Sequence, residues 1–194
     1  MERLEHCEIE MLEKKQLDFY WELKNDPEIA RLFWGNMLRV FPKRELEKEI
    51  EKRLEDKGVR KLYPYIVKDK AGRRLAYVEI KRQFWEEPGL SAQLTVVPRR
   101  PSYLRRKAVS EGVDFALGKC FSYLHLHTVW AAPLEYNTDY IDFLKGKGFQ
   151  QQGIARGCTQ MDGVFYGRAV MDLIDREWMA SRPRPSLDHG RPRP

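Results

Sequence analysis

The chain has 194 residues, 42% hydrophobic and 33% charged, which is enough for one well-filled core and short of what two independent domains need. A formal net charge of +6 and a pI near 9.2 point to an acidic partner: nucleic acid, an anionic cofactor or an acidic carrier protein. No apolar run reaches the ~18 residues of a membrane span. The N-terminus MERLEHCEIE is too charged for a secretory core, so a cytoplasmic protein is expected.

In chain order, Cys7-Glu8-Ile9-Glu10-Met11 alternates as a first strand. QLDFYWELKNDPEIARLFW reads as a helix, a break at Asn25-Asp26-Pro27 and a second short helix, with Asp26 as N-cap and Pro27 in its first position. PKRELEKEIEKRLEDKG is a third helix, with Leu46, Ile50 and Leu54 as one apolar stripe and Gly58 as C-cap. Its alternating acids and bases mark a solvated face. YPYIVKD and RRLAYVEIKR, joined by Lys70-Ala71-Gly72, form a hairpin signature. QFWEEPGLS is turn-like around Pro88-Gly89, and SAQLTVVP is the next strand, stopped by Pro98.

The stretch from Gln93 to Phe149 then runs strand, basic loop, helix, strand, helix. Such an order presents a helix N-terminus to an anionic ligand. Between Pro98 and Ser110 stand Arg99, Arg100, Arg105, Arg106 and Lys107 with no acid among them, a composition suited to phosphate or pyrophosphate. Asn137 is a strong N-cap for NTDYIDFLKGKGF, and Gly148 its C-terminal stop. His125 and His127 alternate on LHLHTV, which would put both on one strand face, with no third ligand nearby. Met161-Asp162-Gly163 suggests a hairpin and Ala169–Ile174 a last strand. Residues 181–194, SRPRPSLDHGRPRP, cannot build a core and read as a disordered or polyproline tail after a single domain spanning 1–180. Cys7, Cys120 and Cys158 have neither disulfide nor zinc spacing, so free thiols and no metal are expected. Nucleophile-elbow, Walker, zincin and dinucleotide fingerprints are all missing.

Over about residues 8–178 these motifs, in this order, resemble the GNAT superfamily of N-acyltransferases, and within it the ribosomal-protein-alanine N-acetyltransferase (RimJ/RimL-like) branch. The segments that carry the resemblance are WELKNDPEIARLF, AGRRLAYVEI, LHLHTVWAAPLEYNTDYIDFLKGKGFQQQGIARG and MDGVFYGRAVMDLIDREW. The resemblance implies an α/β (α+β) fold whose mixed sheet is splayed open around an acyl-carrier arm, with helices on both faces. It implies acyl-CoA, by default acetyl-CoA, as co-substrate, and an amine-bearing acceptor such as a peptide N-terminus or a small molecule. Donor contacts would come from Leu94, Thr95, Val96 and Val97 through the backbone, from Arg99, Arg105, Arg106, Lys107, Ala108 and Val109 in the loop, and from Asn137. Trp34, Trp85 and Tyr103 are candidate acceptor-side residues.

Four positions depart from the family pattern. Small residues in the phosphate loop are replaced by Lys107 and Val109, the central-strand carboxylate by Gln93, and the helix tyrosine by Leu144, with Tyr140 one turn earlier. Gln93 and Tyr140 are therefore the catalytic candidates at these positions, and Tyr136 and His127 are further proton-transfer candidates. An acidic acyl carrier protein is an alternative donor, and a GNAT-fold binding module an alternative function. RNA binding through the basic loop and tail is a third reading, which would need exposed aromatics among the cations. No membrane partner is expected, and monomer and homodimer are equally open.

Overall fold

The computed structural model describes residues 1–35, 40–54, 62–82 and 90–181. Among them, eight strands form one sheet in the order β1-β2-β3-β4-β5-β6-β8-β7. These are β1 (Glu2–Arg3), β2 (Cys7–Met11), β3 (Leu62–Asp69), β4 (Arg74–Arg82), β5 (Ser91–Pro98), β6 (Thr128–Ala131), β7 (Gln150–Met161) and β8 (Val164–Ile174). Every neighbouring pair is antiparallel except β5 and β6. The helices are α1 (Leu17–Asn25), α2 (Pro27–Ile29), α3 (Lys43–Leu54), α4 (Lys107–Gly118), α5 (Thr138–Gly146) and α6 (Asp175–Ala180). No helix among the described residues is long and apolar enough to cross a membrane.

The break at Asp26 forms as its chemistry dictates: the Asp26 carboxylate accepts the Ile29 N–H at 2.9 Å and Pro27 occupies the first helical position. After α2 the chain continues as a π-helical turn, Ala30–Trp34, which Gly35 ends at φ 67°. In α3, Leu46 and Ile50 are buried against α1, each burial contributing about 1.5–3 kcal/mol. The Leu54 side chain and Gly58 lie outside the described residues, as do Trp85, Pro88, Gly89 and positions 182–194.

The β3–β4 hairpin closes through residues 70–73. Residues directly opposite in an antiparallel pair share a face. Tyr65, Val78 and Val96 therefore lie on the face that α4 covers, and Tyr65 meets Phe115 of α4 edge-on at 5.6 Å. Ile66, Tyr77 and Val97 lie on the opposite face, where Tyr77 packs on Tyr20 of α1 at 5.2 Å. α4 approaches the sheet closely because Ala108, Gly112 and Ala116 repeat every four residues on its buried side.

Two local expectations need correction. The strand after α4 starts at Thr128, and His125 has φ 50° outside it, so the two histidines do not share a strand face. The last strand is also longer than Ala169–Ile174: it begins at Val164, directly after the two-residue turn Asp162-Gly163, whose φ angles of 50° and 79° match the twist of a tight hairpin.

Candidate functional site

β5 and β6 run side by side for only three residue pairs, Ser91–Thr128, Ala92–Val129 and Gln93–Trp130. Beyond them β5 continues to Pro98, whereas β6 ends at Ala131 and Pro133, which has no N–H for a ladder, follows. β6 then leans towards β8, with the Ala169 N–H bonded to the Pro133 carbonyl at 2.9 Å. A gap therefore opens along Leu94–Pro98. The Arg99 N–H bonds Leu75 of the β4 side at 2.7 Å, so the even-numbered backbone groups of β5 face the gap.

At the far end of β5 the chain passes through a 3₁₀ turn, Pro101–Arg105, into the N-terminus of α4. Val109 and Ser110 donate back to Arg106, leaving the first two helix amides, Lys107 and Ala108, directed out of the helix. Arg105 pairs with Asp139 at 3.3 Å, Arg99 with Glu22 at 2.9 Å, and the Arg106 guanidinium stacks 4.0 Å over the Tyr103 ring. Val109 is buried in the core, whereas Lys107 is exposed. The cations therefore stand around a helix N-terminus, the arrangement that favours a phosphate. Beside them a groove of about 790 Å³ runs between α1–α2 and the loop, with Glu22, Asp26 and Glu28 on one wall and Arg99 and Arg100 on the other.

Tyr140 reaches across the gap. Its Oη accepts the Val96 N–H at 3.0 Å, and its ring lies 5.4 Å from Phe33 and 6.5 Å from Phe143. Burial pushes its phenol well above the ordinary range, opposed by the Val96 hydrogen bond, so it stays protonated through neutral pH. Asn137 is also committed internally: its oxygen accepts from the Tyr140 N–H at 3.2 Å and its Nδ2 donates to the Leu32 carbonyl at 2.8 Å.

The other candidates are more scattered. Leu144 is fully buried in the core. Tyr136 donates to the Arg31 carbonyl at 2.5 Å, and burial raises its pKa. His127 pairs with Asp175 at 3.2 Å at the opposite end of β5, beside Leu90. Trp34 packs near Tyr77 at 6.2 Å, bonds the Leu23 carbonyl and lies under the Lys24 ammonium at 3.6 Å. Leu94 and Val96 bury their side chains, so only their backbone groups are available to a ligand in the gap; Val97 buries its side chain and turns its backbone to β4.

One carboxylate at this place escaped the sequence reading. Glu79 stands opposite Thr95 and next in register to the Lys81–Gln93 pair, and receives the Tyr77 hydroxyl. The alternation of β4 gives its face, but only the β4–β5 register brings it beside the position that Gln93 fills. Elsewhere, Glu5, His6 and Glu111 lie close enough to hold a cation, but Glu111 is occupied by the Glu5 and His6 N–H groups at 3.0 and 2.8 Å.

A sheet opened between two parallel strands, with a cationic helix N-terminus at the open end, is the GNAT fold. No family model and no curated protein sequence matches the chain. Solved structures do. A spermidine N-acetyltransferase from Vibrio cholerae, in complex with CoA and spermine, superposes with a TM-score of 0.77 at 18% identity, over 89% of this chain and 98% of that one. The spermidine/spermine N-acetyltransferase SpeG from Vibrio cholerae, in complex with manganese ions, gives 0.72 at 17% identity over 92% and 98%. A proposed phosphinothricin N-acetyltransferase gives 0.70 at 17% over 87% and 98%. At these identities the likeness establishes the fold.

Proposed function

We propose that the protein transfers an acyl group, by default acetyl, from acyl-CoA to a primary amine by direct attack of the amine on the thioester. The observation that carries this reading is the β5–β6 gap, with strand backbone groups along one side and the α4 N-terminus at its open end. The Lys107 and Ala108 amides, with Arg105, Arg106 and Lys107, would hold the donor pyrophosphate. The gap-facing backbone groups of Leu94 and Val96 would pair with the arm. Glu79, beside the Gln93 position, would take the ammonium proton directly or through water. The solved neighbour with CoA and spermine supports an amine acceptor. The finer placement in the ribosomal-protein-alanine branch rests on the motif order along residues 8–178 alone.

Calorimetric titration with acetyl-CoA tests the donor. The reading requires micromolar binding that is lost when Arg105, Arg106 and Lys107 are all changed to Gln. An acyl carrier protein titrated in parallel separates the two donor sources.

A second reading, a GNAT-fold binding module without acyl transfer, draws on three residues: Gln93 and Leu144 at the catalytic positions, and Tyr140 on the Val96 N–H. It requires that no amine is acetylated, whatever the donor affinity.

A further inference from the structure

We propose that Tyr140 decides which donors enter the gap: its phenol holds the Val96 N–H that an acyl-thioester arm would pair with, and a donor enters only when the ring leaves. This rests on the acyltransferase reading and assigns that site its specificity-determining residue. The hydrogen bond, at 3.0 Å, lies on the gap-facing edge of β5. Two residues further on, Pro98 has no N–H to offer, so Val96 is the last donor on that edge before the phosphate loop. The ring that makes this bond is 5% exposed and flanked by Phe33 and Phe143, so it fills space that an arm beside β5 would need.

Two features make the closure reversible. The Tyr140 hydroxyl accepts from Val96, but no acceptor for its own proton is within hydrogen-bond reach among the described residues, so the closed arrangement leaves one buried donor unmatched. In addition, Phe33 belongs to the π-helical turn Ala30–Trp34, a rare irregular geometry that is frequent at functional sites. An arm carrying its own carbonyl can replace the phenol oxygen at Val96 and give the displaced hydroxyl an acceptor. Donors that deliver a carbonyl at that height are selected over those that do not.

The test combines two readouts on the wild-type protein and the Y140F and Y140A variants. Amide hydrogen exchange reports the Val96 bond without any ligand: Val96 should be protected in the wild type and exchange at least about tenfold faster in Y140F. Acetyl-CoA affinity by calorimetry should tighten about three- to tenfold in Y140F, where the tether is lost and the ring kept, and further in Y140A. Y140F covers the case in which the cavity left in Y140A prevents folding. Unchanged Val96 exchange in Y140F overturns the proposal. Equal micromolar affinity in wild type and both variants also overturns it, while leaving the acyltransferase reading intact. No acetyl-CoA binding by any folded variant overturns the donor reading itself, and the proposal with it.

Discussion

Asn137 joins the helix that carries Tyr140 to the helical turn that carries Phe33: one end of its carboxamide caps α5 and the other bonds the Leu32 carbonyl at 2.8 Å. A single side chain that is 4% exposed therefore sets the distance between the two aromatic residues that fill the β5–β6 gap. Asn137→Asp keeps the cap acceptor and loses the donor to Leu32; Asn137→Ala loses both. Loss of an N-cap costs about 1 kcal/mol, and an orphaned buried carbonyl about 1–3 kcal/mol. Urea denaturation should find both variants destabilised, and Asn137→Asp should not behave as a neutral replacement.

A second prediction concerns the seat of α4. A methyl group at Gly112 would stand 2.6 Å from one Val67 Cγ and 3.0 Å from the other. Gly112→Ala should lower stability by about 1–3 kcal/mol despite the better helix propensity of Ala. Adding Val67→Ala removes the obstructing methyls, so thermal or urea unfolding of the double variant should cost less than the sum of the two single changes.

These two contacts show where the sequence was legible and where it stopped. The Asp26-Pro27 restart, the Asn137 cap and the Asp162-Gly163 turn depend on residues within four positions of one another, and each forms as its local chemistry requires. The fold class was legible for a related reason, because the order of strands, basic loop and helices survives although the individual motifs are weak. The Tyr140–Val96 bond spans 44 positions and depends on how far β6 leans from β5, which no local pattern encodes. Glu79 was passed over because its neighbour across the sheet follows from register alone. His125 misled because strict alternation predicts a strand even where the backbone turns to φ 50°.

Acid should unfold the protein in part through Glu10. Its carboxylate bonds Lys68 at 2.8 Å and Gln16 at 3.0 Å, and the Lys68 hydrogen bond, against the opposing effect of burial, lowers its pKa from the ordinary 4.5. A depressed folded pKa contributes stability that is fully present above the unfolded value. It is lost as pH falls through the folded one. Glu10→Gln should therefore cost about 1–3 kcal/mol near neutrality. That difference should shrink below pH 4.5 as the wild-type carboxylate protonates, when the two are compared by denaturant titration across pH.

The thiols give a rapid check on the core. Burial pushes both Cys7 and Cys120 up to about 12, whereas Cys158 is exposed on β7. At pH 8 a thiol reagent should modify Cys158 rapidly and the other two only after denaturation. Rapid labelling of Cys120 in the native protein would mean that α4 is not seated on the sheet.

The central claim is acyl transfer, and its most direct measurement is mass-spectrometric detection of N-acetylated product after incubation with isotope-labelled acetyl-CoA and a panel of primary amines, with peptides included. The account predicts enzyme-dependent product from at least one amine, reduced on the order of 10²-fold or more in Glu79→Gln with donor affinity retained. Binding of acetyl-CoA with no acetylated amine above the uncatalysed background would contradict it and leave a GNAT fold that binds without transferring.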